Sequence, residues 1–309
     1  CGRTSARSGV DGKNALVFVQ QHEAFLHAAD RLVELVRLLP ERPKLRGVFH
    51  EKRIGHGGTL DPMATGVLPV FFGRATRGVE FFEHADKTYL AALRLGVVTD
   101  TQDVTGTVLR ENPVNVTRQD ILDVLPRFLG VQAQLPPMYS AIKVGGKKLY
   151  ELARAGKEIE RKPRSIEIFS LEPCGREGND VLLRVHCSKG TYVRTLCHDL
   201  GAALGCGGCM ASLRREQAGS YTLKDAVPLD ALLSHTSPET LLRPVDTLFS
   251  KLPKAQLSVW QEKKCRNGAA FSAGLADGKW RLYGQNGKFL ALAAADNGTV
   301  RTIKSFFEV

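Results

Sequence analysis

Residues 53–62 of the chain read RIGHGGTLDP, so three glycines surround one histidine and lead to one aspartate, Asp61. Closely spaced glycines let a backbone approach another molecule, and Asp61 would present its carboxylate there. On these residues alone a structural role is favoured, because Asp before Pro is a common N-cap of a helix that has Pro at its first position. The Gly- and Pro-rich residues 55–69 predict a loop.

The composition around this segment is that of a folded protein. The chain has 309 residues, of which 43% are hydrophobic and 24% are charged, and these values are typical of globular proteins. Its length predicts one large domain with a smaller one beside it. The formal net charge of +11 attracts polyanions, so charge alone ranks a nucleic-acid partner level with an ordinary basic enzyme.

The cysteines and the apolar segments indicate the compartment. Seven cysteines are scattered through the chain, and an odd, scattered set argues against a secreted disulfide framework. No apolar stretch approaches the roughly 18 to 20 residues that span a bilayer, and no charged start precedes an apolar secretory core. We therefore expect a cytoplasmic protein with no membrane partner.

Hydrophobic periodicity predicts helices and strands without a strict βαβ order, which favours an α+β fold. The predicted strands are residues 89–96, 166–171 and 181–187. Three of the predicted helices are residues 25–39, 148–155 closed by Gly156, and 192–204. A fourth helix opens at Thr117 and ends at Gly130, with one apolar side formed by Ile121, Leu122, Leu125 and Leu129.

The C-terminal part of the sequence has a different texture. Residues 233–247 are polar and contain two prolines, which predicts a linker, and residues 248–309 predict a small β-rich domain. Its strands are predicted at 280–283, 288–293 and 300–306, with tight-turn signals at Asp277-Gly278, Asn286-Gly287 and Asn297-Gly298. From residue 248 onward, ten Lys or Arg face four Asp or Glu, a net charge of 10 − 4 = +6. An accessory RNA-binding module and any small basic β domain both fit this pattern.

Several catalytic signatures are absent from the sequence. There is no Walker A loop, no G-x-G-x-x-G after a predicted strand and no H-E-x-x-H. The sharpest metal candidate is Cys197-His198 with Cys206 and Cys209, which would make the protein a zinc-dependent hydrolase. That set lacks a second well-spaced pair, and Cys197 falls within a predicted helix, so incidental thiols are favoured.

Further motifs along the chain suggest a function for residues 53–62. The stretch from Arg53 to Pro69 resembles, in order and spacing, the TruB-type tRNA pseudouridine-55 synthases. Further motifs of the same family are residues 87–89 (KTY), 100–103 (TQD preceded by Asp100) with Gly106, 134–143 (QLPPMYSAIK), 149–154 (LYELAR) and 190–196 (GTYVRTL). The resemblance runs from about residue 52 to 221. It implies a mixed-sheet pseudouridine synthase domain over residues 49–232 and, more loosely, a PUA-like RNA-binding domain over residues 248–309.

The resemblance also assigns roles to individual residues. It makes Asp61 the catalytic carboxylate and Arg194 its partner, whose guanidinium would orient the carboxylate by binding both of its oxygens. It makes Tyr89 the ring that stacks on a flipped uridine, Tyr192 and Leu213 the walls of the pocket, and His56 the residue that lies against the RNA. Taken without the family, Tyr89 is an ordinary strand aromatic, Leu213 a core helix residue and His56 a loop imidazole. The substrate implied is the T-stem-loop of tRNA, with no cofactor, no metal and no obligate protein partner.

RNA contacts are expected from two basic stretches. Residues 143–164 contain eight basic and three acidic residues, a net charge of 8 − 3 = +5, and Arg214-Arg215 adds two more cations. A solvated helix face is the ordinary alternative for the first stretch.

The N-terminal segment departs from the family pattern. The family opens with a strand that leads into Asn-Lys-Pro and Thr-Ser, whereas here residues 17–19 (VFV) run into residues 20–23 (QQHE). Residues 1–48 are therefore a divergent N-terminal segment. This departure keeps a second hypothesis open, a non-catalytic RNA-binding or RNA-folding protein that uses the same surface. Guided action on ribosomal RNA would need a partner-binding surface that the sequence does not reveal.

Overall fold

The computed structural model of the protein describes residues 15–21 and 38–307. The helix predicted at residues 25–39 lies outside the described residues except for its last two positions. None of the described helices is long and apolar enough to cross a membrane.

The larger part of the described chain contains fifteen strands and six α-helices. In chain order these are β1 (Ala15–Gln21), α1 (Leu38–Phe49), β2 (Ile54–His56), β3 (Thr65–Phe72), α2 (Val79–Phe82), β4 (Lys87–Leu95), β5 (Val97–Thr99), β6 (Val108–Glu111), α3 (Arg118–Val124), β7 (Gly130–Gln134), β8 (Lys143–Val144), β9 (Lys147–Lys148), α4 (Leu149–Arg154), β10 (Arg164–Glu177), β11 (Asp180–Cys187), α5 (Val193–Ala203), β12 (Gly208–Ala218), β13 (Tyr221–Thr222), β14 (Val227–Pro228), α6 (Leu229–Leu233) and β15 (Arg243–Pro244).

The C-terminal part adds five strands and one helix within the described residues. They are β16 (Lys254–Gln256), α7 (Val259–Arg266), β17 (Phe271–Ser272), β18 (Gly278–Tyr283), β19 (Phe289–Asp296) and β20 (Thr299–Ser305). Short 3₁₀ helices occur at Gly73–Gly78, Leu125–Phe128, Leu223–Asp225, Pro238–Leu241 and Val245–Phe249.

A large mixed sheet forms the centre of the molecule. Its main strand order is β14-β1-β3-β12-β4-β11-β10-β7. The pairs β1–β14 and β3–β12 are parallel, while the other pairs along this order are antiparallel. One face packs against α5, with Leu93, Val185 and Leu196 in the core. The predicted α+β class with a mixed sheet is confirmed.

Most predicted elements around this sheet are confirmed, with small shifts at their ends. The three predicted strands correspond to β4, β10 and β11, and the helices predicted at 148–155 and 192–204 correspond to α4 and α5. Gly156 follows α4 with φ of +68°, a left-handed conformation that glycine adopts readily. The opening strand is also present, since β1 pairs with β3 along its length.

The helix opened by Thr117 is shorter than predicted. Thr117 does cap α3, because the backbone N–H of Asp120 donates to Thr117 Oγ1 at 3.2 Å. However, α3 ends at Val124 and a 3₁₀ turn follows, because Pro126 has no N–H with which to continue the helix. The prediction of a single apolar side on this helix is therefore wrong, because Leu122 and Leu129 are 37% and 44% exposed.

The predicted loop at residues 55–69 is also wrong at both of its ends. Strands β2 and β3 form an antiparallel hairpin in which His56 lies opposite Val70. Only residues 57–64 connect the two strands, and this segment is called the site loop below. The apolar run from Val67 to Phe72 forms an interior strand that is buried on both faces, and this burial overrides the turn signal of Pro69.

The C-terminal sheet has the strand order β16-β18-β19-β20-β17. Asn297 and Gly298, with φ of +47° and +72°, make the tight turn between β19 and β20. Phe249, Phe289 and Phe306 stack on one another and join this sheet to the large one, within a core that also contains Phe71. In the preceding segment, residues 233–247, β15 pairs with β1.

Candidate active site

The site loop places Asp61 in a tight turn. The N–H of Ala64 donates to the carbonyl of Asp61 at 2.9 Å, and Pro62 occupies the second position of this turn, where its fixed φ is favoured. No helix follows, so the Asp61-Pro62 step is not a helix N-cap. The Asp61 side chain is 31% exposed, so its carboxylate is accessible from outside the protein.

The glycines of this segment serve contacts within the protein. The N–H of Gly57 donates to the carbonyl of Pro69 at 2.9 Å. A Cβ atom on Gly57 would lie 2.4 Å from Cδ1 of Phe82, closer than real atoms approach. Gly58 has φ of +97°, which strains any other residue. Gly57 therefore has an internal packing role, and the approach of this segment to another molecule stays a prediction.

Arg194 holds the carboxylate of Asp61 with two parallel hydrogen bonds. Its Nε donates to Oδ2 and its Nη2 donates to Oδ1, both at 2.9 Å. Arg194 lies in the first turn of α5 and its side chain is 6% exposed, whereas Asp61 remains half-buried. Such a planar, charge-assisted pair fixes the orientation of the carboxylate.

The remaining donors of Arg194 contact two backbone carbonyls and a second carboxylate. Nη1 donates to the carbonyl of Thr101 at 3.1 Å, and Nη2 donates to the carbonyl of Tyr139 at 2.8 Å. Nη1 also lies 3.6 Å from Oδ2 of Asp103, which is itself buried. Asp103 is fixed in turn by donors from Thr101 Oγ1 and the Thr105 N–H. The guanidinium thus bridges two carboxylates.

Tyr89 and Leu213 lie on adjacent strands beside this pair. Tyr89 is on β4 and Leu213 is on β12, where Leu213 pairs with Ala91. The alternative interpretation of Leu213 as a core helix residue is wrong about the helix, because Leu213 belongs to a strand, but Leu213 is 6% exposed and packs in the core. Burial raises the pKa of the Tyr89 phenol, and the nearby charge of Arg215 opposes this effect. An ordinary phenol is already neutral at physiological pH, and the raised pKa keeps it so.

Tyr192 occupies the N-cap of α5, where Gln134 holds its backbone from both sides. The N–H of Tyr192 donates to Gln134 Oε1 at 2.8 Å, and Gln134 Nε2 donates to the Tyr192 carbonyl at 3.0 Å. Gln134 ends β7 and is 7% exposed. This side chain fixes the start of the helix that carries Arg194. His56 lies at the end of β2, half-buried, immediately before the site loop.

The comparison with protein families covers both halves of this site. Residues 46–193 match the TruB family pseudouridylate synthase (N terminal domain), and residues 194–250 match the tRNA pseudouridylate synthase B C-terminal domain. A protein named tRNA pseudouridine synthase B from Aromatoleum aromaticum is 46% identical over 259 residues, which cover 82% of this chain and 84% of that protein. The chain belongs to the TruB family of pseudouridine synthases. Asp61 lies in the first matched segment and Arg194 opens the second.

Other relatives agree with this membership. A protein of the same name from Azoarcus sp. strain BH72 is 44% identical over 259 residues, covering 83% of this chain and 86% of that protein. Among solved structures, a Cbf5-Nop10-Gar1 complex aligns with a TM-score of 0.69 at 24% identity, covering 96% of this chain and 86% of that chain. An H/ACA RNP bound to a substrate RNA containing 2'-deoxyuridine aligns with the same TM-score at 21% identity, covering 99% and 92%. These two structures share the fold.

Arg215 has a different position in this TruB-family chain from the one that the sequence suggested. It was expected to contact RNA phosphates together with Arg214, yet Arg215 is 1% exposed. Its Nε donates to the carbonyl of Val67 at 2.7 Å, and its Nη2 donates to the carbonyl of Gly58 at 3.3 Å. The register of β12 between β3 and β4 turns this side chain inward, beneath the site loop.

The cysteine and histidine residues do not form the cluster that a zinc-dependent hydrolase needs. Among residues 15–21 and 38–307, no three His, Cys, Asp or Glu side chains are grouped so that they could hold a metal ion. Cys197, Cys206 and Cys209 are buried as free thiols. Burial raises the pKa of the Cys209 thiol to about 11, so this sulfur is protonated at neutral pH and is a poor zinc ligand.

Proposed function

We propose that this enzyme isomerises the uridine at position 55, in the T-loop of tRNA, to pseudouridine, with Asp61 as the catalytic carboxylate. The observation that carries the proposal is the two-point pair between Asp61 and the buried Arg194, set beside Tyr89 in a TruB-family chain. The named function of the relatives, tRNA pseudouridine synthase B, supports tRNA as the substrate.

The chemistry of the site fits this isomerisation. The reaction breaks the C–N glycosidic bond of uridine and joins the same base to the ribose through carbon, with no net oxidation or hydrolysis. An ionised carboxylate can act as a nucleophile on the base or the ribose, or as a base toward the sugar. Arg194 binds both oxygens of Asp61, and the Asp61 side chain is still 31% exposed, so a substrate can reach it.

Access to the target uridine requires base flipping, because the base lies inside a folded RNA loop. In this proposal the extruded uracil stacks on Tyr89, whose phenol is neutral, while Leu213 and Tyr192 line the pocket. His56 lies at the entrance to the site loop and contacts the RNA from which the base departs. The charge of Asp61 raises the pKa of the Tyr89 phenol. This effect supports the arrangement, because it requires the carboxylate to lie near the ring.

The grip on the RNA is assigned to exposed cations and to the C-terminal domain. Residues 143–164 carry eight basic side chains against three acidic ones. Lys143, Lys147 and Arg164 are exposed, as phosphate contacts require. The C-terminal domain, with its PUA-like character and positive charge, would extend this surface. Catalysis by the purified chain without a protein partner, in the cytoplasm, is part of the same proposal.

The test is to incubate the purified protein with an unmodified tRNA transcript and to map pseudouridine by carbodiimide-adduct primer extension. The proposal expects one stop in the T-loop with the wild type and none with D61A. A stop at another position would contradict the choice of uridine. No stop, together with retained salt-sensitive tRNA binding, would support the non-catalytic RNA-binding hypothesis and implicate the divergent N-terminal segment.

A further inference from the structure

Arg215 is the largest of the fully buried side chains in the described chain. It lies on β12, opposite Tyr89 on β4 and beside Gly66 on β3. No carboxylate of the described residues pairs with it. A buried cation without a counter-ion is unfavourable unless hydrogen-bond acceptors surround it, so the acceptors that Arg215 uses define its role.

Two structural elements provide those acceptors. Nε donates to the Val67 carbonyl of β3 at 2.7 Å, and Nη2 donates to the Gly58 carbonyl of the site loop at 3.3 Å. Arg215 is also the cross-strand partner of Tyr89 on β4, and its charge lowers the pKa of the Tyr89 phenol against the effect of burial. One side chain therefore connects the loop that carries Asp61 with the ring assigned to stack on the flipped base.

Glycines border Arg215 on two sides. Gly66 has φ of +102°, and a Cβ atom there would lie 2.1 Å from the Arg215 carbonyl oxygen, so it makes room for the backbone of β12. Gly58 has φ of +97°, and its Cβ would lie 3.5 Å from Arg215 Nη1, which is ordinary contact. Neither position accepts another residue without strain, because both have positive φ. The backbone on both sides of the arginine is thus held in conformations that favour glycine.

We propose that Arg215 is a positioning residue for the isomerisation, which fixes the Tyr89 ring and the Gly58–Asp61 part of the site loop relative to one another. The inference rests on the proposed function, since it assumes that both groups contact the same uridine. Arg215 does not reach the substrate, because it is 1% exposed. It acts through the two groups that it holds, and a contribution to folding alone is the competing explanation.

Arg281 provides a matched control for that explanation. It is 8% exposed and lies in the C-terminal sheet. It donates to the carbonyls of Leu252 at 2.9 Å and Ser250 at 3.2 Å. Unlike Arg215, it also has a carboxylate nearby, since its Nη1 lies 3.9 Å from Asp246 Oδ2. Loss of Arg281 therefore removes a buried arginine that also binds two backbone carbonyls, in a different sheet from the one beside Asp61.

The experiment compares R215M, R215K and R281M by thermal unfolding, tRNA affinity and single-turnover rate on an unmodified tRNA transcript. We expect R215M and R281M to lower the melting temperature similarly. R215M should slow turnover by about 100-fold, with tRNA affinity changed by less than about 3-fold, whereas R281M should leave the rate within about 3-fold of the wild type. R215K should recover part of the rate, because an ammonium can satisfy only some of the acceptors. A folded R215M with the rate of R281M would overturn the proposal.

A second readout does not depend on activity. Arg215 lowers the pKa of the Tyr89 phenol against the effect of burial, with Cys187 and Asp61 acting in the opposite direction. The ¹³Cζ resonance of Tyr89, assigned with Y89F in tyrosine-labelled protein, should move in R215K, because the ammonium of lysine does not reproduce the position of the guanidinium. An unchanged Tyr89 resonance in R215K would contradict the contact, and this variant serves if R215M does not fold. A wild type that is inactive on tRNA, together with a Tyr89 resonance that moves in R215K, would instead refute the proposed function.

Discussion

Two arginine–aspartate pairs in this molecule have nearly the same geometry and very different surroundings. Arg194 donates to Asp61 at 2.9 and 2.9 Å, and Arg94 donates to Asp180 at 2.8 and 2.7 Å. Arg94 is 43% exposed and joins adjacent strands, since Asp180 lies opposite it in the sheet. Arg194 is 6% exposed and joins a helix to a loop 133 residues earlier in the chain.

Hydrogen-bond distances therefore do not identify the functional pair. The exposed pair is screened by water and contributes about 0–1 kcal/mol to stability. The buried guanidinium of Arg194 also binds two carbonyls and lies against Asp103, so its removal leaves a buried carboxylate unpaired. Of the two pairs, Asp61–Arg194 is the one in which a buried arginine holds a partly exposed carboxylate, and the proposed mechanism uses this asymmetry.

The largest difference between the pairs should appear when each arginine is replaced. R194M removes the guanidinium that orients Asp61 and leaves the buried Asp103 without its cation. We therefore expect the single-turnover rate to fall by about 1,000-fold and the free energy of unfolding to fall by about 3 kcal/mol. R94M should change the rate by less than about 2-fold. Both are measured by pseudouridine formation on tRNA and by urea unfolding. Equal losses of rate in the two variants would remove the distinction between the pairs.

The second carboxylate gives an intermediate effect. D103N keeps the shape of the side chain but places an amide against the Arg194 donors, so the guanidinium loses one of its acceptors. We expect a rate decrease of about 10- to 100-fold, with little change in tRNA affinity. Rate and filter-binding measurements at the same ionic strength test this. A D103N enzyme with the wild-type rate would show that Asp61 alone determines the position of Arg194.

The smallest effect is expected at the exposed pair. D180A should lower stability by less than about 1 kcal/mol, and this loss should disappear at roughly 1 M salt, where the Debye length is short. The turnover rate should not change. Urea unfolding at low and high salt measures the effect. A loss that persists at high salt would mean that Asp180 stabilises the turn between β10 and β11 by means other than charge.

The sequence predicted the strands and helices with clear periodicity, and the resemblance to a known family named the members of the site. The run that became β4 alternates only loosely, yet it and the run that became β11 were recognisable as strands, and Asp61 and Arg194 each lie within a specific motif. The ends of β2 and β3 were mistaken for a loop, because glycine and proline mark turns more often than interior strands.

The supporting contacts could not be predicted, since they depend on strand register. Arg215 follows another arginine in a polar stretch, which is typical of a surface residue. However, its strand β12 pairs with both β3 and β4, and this register turns the side chain inward. Gln134 and Asp103 were visible only as parts of family motifs, without a role. Gln134 contacts Tyr192, 58 positions later, and Asp103 contacts Arg194, 91 positions later. A single sequence does not show which residues so far apart in the chain lie close together in space.

The most direct test of the central claim compares the wild type, D61N and D180N on an unmodified tRNA transcript under single-turnover conditions. We expect the wild type and D180N to form pseudouridine in the T-loop at rates that agree within about 2-fold. D61N should bind the tRNA with unchanged affinity and form none. Measurable turnover by D61N, or an equal loss in D180N, would contradict the assignment of Asp61 as the catalytic carboxylate.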